Sequence, residues 1–337
     1  MSATRLQEVD SLRGIAALSV VLFHYTTRFE RLYESDSDLP FGFPYGHYGV
    51  NLFFIVSGFV IFMSLDRTNR PLDFVVSRFS RLYPAYWVAI ILTFAITHCL
   101  GLPGKLVDLP SAAINFTMIQ GLLKIPHVDG VYWTLEVELL FYLGMFALYR
   151  MRQLHRIHLA IIALLIIRII YYGFERIFGI DLPWTIFRLF ILSYIPWFAL
   201  GIAICLYNSQ NGSVGRQHCK QIAVFSLITL CLVESAMIAT LALVLAACVF
   251  FGSKGKLPWL RHPVLVWLGA ISYPLYLLHE NIGWSIQLQA LQHGVPFSLT
   301  VLLALATSLT LATCVTRFVE QPCMAWIRSR YRQRVSR

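Results

Sequence analysis

The apolar segment SLRGIAALSVVLFHY contains two residues that could do chemistry, Arg13 and His24. At about 100° per residue, eleven residues complete three helical turns plus roughly 20°, so both side chains would share one helix face, about 16–17 Å apart along the axis. Ionisable side chains are costly inside a membrane and usually serve a function there. A guanidinium and a titratable imidazole on one helix face favour the interpretation that the two residues mark the two ends of one polar tunnel. Snorkelling of Arg13 and a packing hydrogen bond of His24 are the structural alternatives.

Two carboxylates stand in a second apolar segment, WTLEVELLFY. Glu136 and Glu138 are two residues apart, about 200° on a helix, so they face opposite sides. Glu138 lies at a membrane depth comparable with that of His24, where a carboxylate could orient the imidazole or act as the base itself. Glu136 lies nearer the outer surface and is expected to face solvent or an acceptor substrate. Trp133 and Tyr142 are predicted to line the same cavity.

Two further membrane segments carry polar side chains that are predicted to line this cavity. HYGVNLFFIVSGFVIF contains Asn51 and Ser57, and its glycines are typical of close helix packing. GAISYPLYLLH contains Ser272, Tyr276 and His279. Tyr276 and His279 are three residues apart, so one helix face could present both to the cavity.

A pair of arginines, Arg78 and Arg81, lies in SRFSRLYPAYW just inside the membrane edge. Their spacing of three places both on one helix face. Two guanidiniums in this position suit a phosphorylated ligand, because a guanidinium can bind phosphate in a bidentate manner. Ordinary anchoring at the cytoplasmic surface explains the spacing equally well.

The composition indicates that membrane helices must position these residues. Of 337 residues, 58% are hydrophobic and 13% are charged, whereas a soluble domain is about one quarter charged. The formal net charge of +10 comes from short basic clusters between apolar runs, as in cytoplasmic loops, so we expect no nucleic-acid binding. The seven cysteines are scattered without a C-x-x-C motif, so we expect neither a disulfide framework nor a metal site.

The apolar runs predict an all-α, polytopic membrane protein of about ten transmembrane helices with cytoplasmic termini. The chain is predicted to be one integral membrane domain, 1–337, with no appended soluble domain. The outer segments 30–47 and 103–130 are expected to form the entrance for an acceptor. The predicted spans are 9–29, 48–65, 83–102, 131–149, 159–173, 187–207, 221–233, 234–252, 263–281 and 297–318.

Six segments together resemble acyltransferase family 3, a family of integral membrane acyltransferases with an R-x10-H signature. SLRGIAALSVVLFHY is similar to that signature, and five other segments are similar to family motifs that follow in the same order. These are GVNLFFIVSGFVI, the R-x-x-R of SRFSRLYPAYW, WTLEVELLFY, SYPLYLLH and VEQP. The resemblance therefore covers nearly the whole chain.

The resemblance implies ten transmembrane helices in the bacterial inner membrane, and an acyl-CoA donor, usually acetyl-CoA, used as substrate without a permanently bound cofactor. The acceptor would be a hydroxyl of a glycan or lipid-linked sugar. By position, His24 resembles the catalytic histidine and Arg13 its signature partner. Arg78 and Arg81 resemble the CoA-contacting arginines, and Glu138 falls where relatives carry a glutamate. Many relatives have an extra C-terminal domain. In this chain, transfer would be completed by the membrane unit alone or together with a separate partner protein.

We expect His24, oriented by Glu138, to act as general base on the acceptor hydroxyl, with Arg13 positioning the donor. A transient acyl-histidine stays open as a variant. Two other classes of function also stay open. A proton-coupled transporter would place the same residue types along one pathway, although the internal repeats common in transporters are not visible. A membrane scaffold that recruits a polysaccharide-synthesis complex would not depend on His24.

Overall fold

The computed structural model describes residues 6–33, 39, 42–180, 182–209 and 212–335, and within these residues every regular element is helical. The all-α prediction is thereby confirmed. The α-helices are α1 (Gln7–Phe23), α2 (Phe29–Tyr33), α3 (Gly49–Asp66), α4 (Pro71–Leu100), α5 (Leu109–Asn115), α6 (Trp133–Arg150), α7 (Ile157–Gly173), α8 (Trp184–Leu189), α9 (Ile195–Asn208), α10 (Gly212–Val233), α11 (Ala236–Ser253), α12 (Pro263–Leu278), α13 (Glu280–Gln292), α14 (Phe297–Val315) and α15 (Gln321–Val335).

Shorter helical turns extend several of these helices. Turns of 3-10 helix occupy Pro44–Tyr48, Gly130–Tyr132, Leu154–Arg156 and Pro258–Arg261. Turns of π-helix occupy His24–Arg28, Phe174–Phe178 and Thr316–Glu320. Because a π-helical turn bonds residue i to i+5, it is wider than an α-helical turn and is frequent at functional sites.

Six described segments are long and apolar enough to cross a membrane. They are Pro44–Asp66, Pro71–Leu100, Gly130–Arg150, Leu154–Phe178, Ala236–Ser253 and Phe297–Val335. Three shorter apolar helices, Ile195–Asn208, Gln217–Val233 and Pro263–Leu278, coincide with further predicted spans. The chain is therefore a multi-pass membrane protein. The number of ten spans and the cytoplasmic position of both termini stay predictions.

The third predicted span, 83–102, is part of a longer helix. Helix α4 begins at Pro71 and runs for 30 residues, about 45 Å, whereas the hydrocarbon core of a bilayer is about 30 Å thick. Proline is favourable in the first turn of a helix, and no helix-breaking residue follows before Pro84. Arg78 and Arg81 therefore lie within α4, before the predicted span begins.

The sixth predicted span, 187–207, is interrupted in the structure. Helix α8 ends at Leu189 and α9 begins at Ile195, with Pro196 in its first turn. Between them Ile191 adopts a φ of 46°, an unfavourable conformation for a β-branched residue. Pro196 has no backbone N–H to extend a helix that arrives from α8, and it is well tolerated in the first turn of α9.

The chain divides into two compact units. The first takes its described residues from Met1–Leu12, Asn51–Pro71 and Val137–Arg261. In this unit α3 and α9 approach each other at two glycines. A Cβ at Gly58 would overlap the carbonyl oxygen of Phe198, and one at Gly201 would overlap that of Ile55. Small residues of this kind let membrane helices pack backbone against backbone.

The second unit takes its described residues from Arg13–Val50, Leu72–Glu136 and His262–Arg337. It contains most of α1, where Ala16, Ala17, Val20 and Val21 are buried. It also contains α4, α12, α13, α14 and α15. The apolar face of α1 fixes the rotation of this helix, and with it the directions of Arg13 and His24.

Candidate active site

His24 is the first residue of the π-helical turn that follows α1, and it lies in the second unit. Its Nδ1 is 2.8 Å from Nε2 of His279, a hydrogen-bond distance. Its Nε2 is 3.5 Å from Oε2 of Glu280. The side chain of His24 is 13% exposed and that of Glu280 is 7% exposed, so the imidazole is enclosed without being sealed. We call His24, His279 and Glu280 the histidine cluster.

The junction between α12 and α13 positions His279. Its Nδ1 is 2.8 Å from the carbonyl oxygen of Tyr276, one helical turn earlier. The hydroxyl of Tyr25 donates to the carbonyl oxygen of His279 at 2.7 Å and lies 2.6 Å from Oγ of Ser308. Gly283 makes room for Tyr25, since a Cβ there would overlap the phenol ring. His279 is fully buried, so these contacts hold it in one orientation.

Helix α13 also holds the π-helical turn by hydrogen bonds to its backbone. The indole N–H of Trp284 donates to the carbonyl oxygen of His24 at 2.9 Å, and the amide of Gln287 donates to that of Tyr25 at 3.0 Å. Carbonyl groups in the widened turn are therefore paired, as buried backbone groups must be. The result is a rigid frame around the imidazole of His24.

A second buried carboxyl, that of Asp129, lies close to Glu280 at the start of α13. Its Oδ2 accepts the backbone N–H of Asn281 at 3.1 Å, and its Oδ1 accepts that of Val131 at 3.2 Å. Burial raises the pKa of the Asp129 carboxyl, while those two N–H groups and the charge of Lys105 act in the opposite direction. Although the sequence suggests that 103–130 faces an acceptor, Asp129 is fully buried and ties this segment to the start of α13.

Aromatic and basic side chains also lie close to Trp284 of α13. The ring of Tyr33 meets that of Trp284 edge to face, with centroids 6.1 Å apart. Nζ of Lys105 lies 5.3 Å from the centroid of the same Trp284 ring. Both residues come from the two segments predicted to form the acceptor entrance. Of segment 30–47, residues 34–38, 40 and 41 lie outside the described residues.

A second set of functional candidates gathers around Glu320, in the π-helical turn Thr316–Glu320. Arg81 forms an ion pair with Glu320, whose side chain is 1% exposed. The charge of Arg13 also acts on the Glu320 carboxyl. The structure thus brings Arg13 and Arg81, from two segments far apart in sequence, to the same acidic side chain.

Arg78 and Arg328 approach each other at Ser77. Nη2 of Arg78 donates to Oγ of Ser77 at 3.2 Å, and Nη2 of Arg328 donates to the carbonyl oxygen of Ser77 at 3.3 Å. Nε of Arg328 donates to Oγ of Ser80 at 3.1 Å, and the charges of Arg78 and Arg81 both act on Arg328. We call Arg13, Arg78, Arg81 and Arg328 the arginine cluster. Such planar donors match phosphate oxygens well.

The remaining predicted residues of the second unit have structural contacts. Glu136 is fully buried, not solvated, and its Oε2 accepts the backbone N–H of Leu122 at 3.0 Å. The hydroxyl of Ser272 donates to the carbonyl oxygen of Gly269 at 2.9 Å. Oγ1 of Thr134 donates to the hydroxyl of Tyr276 at 2.9 Å. Trp133 is the first residue of α6.

The predicted residues of the first unit meet at Glu138. Oγ of Ser57 donates to Oε1 of Glu138 at 2.6 Å, and the hydroxyl of Tyr142 donates to the same oxygen. Asn51 lies six residues before Ser57 on α3. The hydrogen bonds of Glu138 are therefore to Ser57 and Tyr142, and the orienting role predicted for it stays a prediction.

Three residues in or beside these clusters are not among the sequence-based candidates: Glu280, Arg328 and Glu320. A signal exists for Glu280, which follows His279 directly in the segment LLHEN and is an acid beside a membrane histidine. No group of three or more His, Cys, Asp or Glu side chains within the described ranges is arranged to hold a metal ion.

Helices that cross a membrane and enclose an imidazole, with an arginine cluster in the same unit, define a candidate membrane enzyme. The sequence model of a family described as "Acyltransferase domain" matches residues 6–317, which is most of the chain. The chain therefore belongs to this family, acyltransferase family 3. The predicted family is confirmed.

Three proteins that are similar in sequence to this chain add to the family match. "Putative acetyltransferase ORF330" of Acidianus two-tailed virus is 24% identical over 90% of this chain and 89% of its own length. "Protein 2 in picA locus" of Rhizobium radiobacter is 34% identical over 35% of this chain and 63% of its own length. "Exopolysaccharide production protein ExoZ" of Rhizobium meliloti (strain 1021) is 28% identical over 30% of this chain. The match spans only 33% of ExoZ. No solved structure matches the chain.

Proposed function

We propose that this protein transfers an acyl group, most simply acetyl, from cytoplasmic acyl-CoA to a hydroxyl of an extracytoplasmic or lipid-linked glycan. The membrane would be the bacterial inner membrane. Support comes from membership of the acyltransferase family and from two similar proteins, one named an acetyltransferase and one named for exopolysaccharide production. A partner protein of polysaccharide synthesis could present the acceptor.

The observation that carries this proposal is the position of His24 in the histidine cluster. An imidazole that is enclosed, hydrogen-bonded to a second imidazole and flanked by a carboxyl group has the surroundings of a general base. Such a base removes the proton of the acceptor hydroxyl while the hydroxyl oxygen attacks the thioester carbonyl. The C–S bond then breaks, and the CoA thiolate takes the proton back from His24. An acyl-histidine intermediate is the alternative route.

The arginine cluster supports binding of the donor in the same unit. CoA carries several phosphates at its nucleotide end, and guanidiniums bind phosphate oxygens by charge-assisted hydrogen bonds. Arg13 belongs to this cluster and is on the same helix as His24, eleven residues or about 16–17 Å away along the axis. One helix would thus connect the phosphate site with the acyl group. Glu138 accepts hydrogen bonds from Ser57 and Tyr142 and keeps, as part of this proposal, the catalytic role predicted for it from the sequence.

The experiment that tests this proposal measures radiolabelled acetyl-CoA turnover by the full chain in lipid nanodiscs, with and without a bacterial glycolipid extract as acceptor. General base catalysis contributes about 10²–10⁴-fold, so His24→Ala should lower turnover by that order. His293→Ala is the matched control, because His293 is exposed and its Nδ1 contacts only the preceding turn of its own helix at the carbonyl of Gln289. Equal turnover of wild type and His24→Ala would contradict the assignment of His24.

The two halves of the assay separate donor from acceptor. Label released from CoA in the absence of extract shows thioester chemistry, and label found in the glycolipid fraction shows transfer. Wild-type protein that does neither, in the presence of a varied set of glycolipids, would contradict acyl transfer from acetyl-CoA.

A further inference from the structure

The hydrogen bonds of His279 determine where its proton lies. Its Nδ1 is 2.8 Å from the carbonyl oxygen of Tyr276. A carbonyl oxygen can only accept a hydrogen bond, so Nδ1 of His279 must carry the hydrogen. A neutral imidazole has one N–H, which leaves Nε2 of His279 as an acceptor.

A charged His279, with hydrogens on both nitrogens, fits its surroundings poorly. The side chain is fully buried, and its described hydrogen bonds are to a carbonyl oxygen and to His24, not to a carboxylate. Burial of an unpaired charge costs far more than burial of a neutral ring. The neutral form is therefore the one that the contacts select.

The proton of His279 in turn fixes that of His24. Nε2 of His279 accepts, so Nδ1 of His24, at 2.8 Å, must donate the hydrogen of this bond. A neutral His24 then has no hydrogen on Nε2. That nitrogen is 3.5 Å from Oε2 of Glu280, beyond ordinary hydrogen-bond distance, so its lone pair is available to a donor from a substrate.

We propose that His279 is a positioning residue, which holds His24 in the Nδ1–H form and makes Nε2 of His24 the nitrogen that accepts the acceptor's proton. This inference rests on the proposed function and adds the atom at which the proton moves. The hydroxyl proton goes to Nε2, the oxygen forms the new C–O bond, and the proton leaves Nε2 with the CoA thiolate. While protonated, Nε2 faces the Glu280 carboxylate.

The frame around His279 makes this control possible. The Tyr25 hydroxyl fixes the His279 backbone, and Ser308 and Gly283 fix Tyr25. Because the ring of His279 is bonded at both nitrogens, it cannot turn over without losing both bonds. A histidine that is free to rotate would present either nitrogen to His24 and would not select one form.

The first arm of the test does not depend on activity. Solid-state NMR of the full chain in nanodiscs, with histidine labelled with ¹⁵N, distinguishes a protonated from an unprotonated ring nitrogen by chemical shift, and a His24→Gln spectrum assigns the His24 signals. We expect Nδ1 of His24 protonated and Nε2 unprotonated in the wild type. The reverse assignment would overturn the inference, whatever the enzyme's activity.

The second arm compares two substitutions at His279. Gln can present its carbonyl oxygen to His24 and its amide hydrogen to Tyr276, whereas Leu has similar bulk and no acceptor. We expect His279→Leu to lower kcat for acetyl transfer roughly 10- to 100-fold, with KM for acetyl-CoA little changed, and His279→Gln to lower it less. In the NMR arm, Leu should give a mixture of His24 forms.

The outcomes separate this inference from the proposed function. The positioning role would be overturned if the folded His279→Leu variant had the same kcat as the wild type. It would also be overturned if folded His279→Leu and His279→Gln variants lost the same fraction of kcat while the His24 spectrum stayed unchanged. Either result would leave the proposed acyl transfer intact. No turnover in the wild type would contradict the proposed function, and the NMR arm would still decide the protonated nitrogen. A melting measurement identifies a Leu variant that does not fold, and the wild-type spectrum then decides alone.

Discussion

Replacing Glu280 with glutamine would remove the ionisable carboxyl group that faces the imidazole of His24, and would leave the shape of the side chain nearly unchanged. In the wild type, Oε2 of Glu280 is 3.5 Å from Nε2 of His24. At an effective dielectric constant of about 20, a full pair of charges at this separation attracts by about 5 kcal/mol. Both side chains are largely buried, so solvent screens this attraction only slightly.

The effect on the rate depends on how much charge has moved in the transition state. If about half of the proton's charge is on the imidazole, the attraction is about 2.4 kcal/mol, which corresponds to about a 50-fold change in kcat. We therefore expect Glu280→Gln to lower kcat about 50-fold. KM for acetyl-CoA should change less than about twofold, because the lost interaction forms only as the proton moves.

The assay is the initial rate of acetyl transfer over a range of acetyl-CoA concentrations in nanodiscs. Glu175→Gln is the control, because Glu175 is exposed in a π-helical turn of the other unit. A kcat for Glu280→Gln within about threefold of the wild type would refute the reasoning, since even a quarter of the charge at this distance gives more than a fivefold effect.

Two further predictions concern the donor site and the fold. Arg328→Gln should raise KM for acetyl-CoA roughly 10-fold with little change in kcat, because one charge-assisted hydrogen bond to phosphate is lost. Arg330→Gln is the control, because Arg330 is exposed on the same helix, and it should leave KM unchanged. Equal KM values for the two variants would contradict a role of Arg328 in the donor site. Gly58→Ala should lower the free energy of unfolding by about 1–3 kcal/mol, because its Cβ would overlap the Phe198 carbonyl. The control is Gly144→Ala, since a Cβ at Gly144 meets no other atom, and equal melting temperatures of the two variants would contradict this packing.

The apolar runs predicted most of the membrane helices because length and hydropathy are local properties of the chain. They did not predict the interruption before Ile195, since the residues on both sides are equally apolar. They also did not show that α4 begins at Pro71, twelve residues before the predicted span, because a hydropathy run ends at the arginines although the helix does not. A membrane boundary and a helix boundary are different physical limits.

Within one helix, spacing predicted directions well. Glu136 and Glu138 were predicted to face opposite sides, and in the structure they accept hydrogen bonds from Leu122 and Ser57, in different units. Pairing between helices was not predictable in this way. His24 and His279 are 255 positions apart, and no spacing rule relates them. Such contacts depend on how helices pack, which a single sequence does not state.

The π-helical turns at His24–Arg28 and Thr316–Glu320 have a consequence for how this protein can evolve. Each turn holds one residue more than an α-helical turn would, and each carries a titratable side chain, His24 in one and Glu320 in the other. Deleting one residue from such a turn would restore a regular α-helix and leave the helix beyond it in nearly the same rotation, because the wider turn takes up the extra residue locally. We therefore expect alignments of homologous chains to tolerate single-residue gaps in these two turns better than in the regular helices on either side.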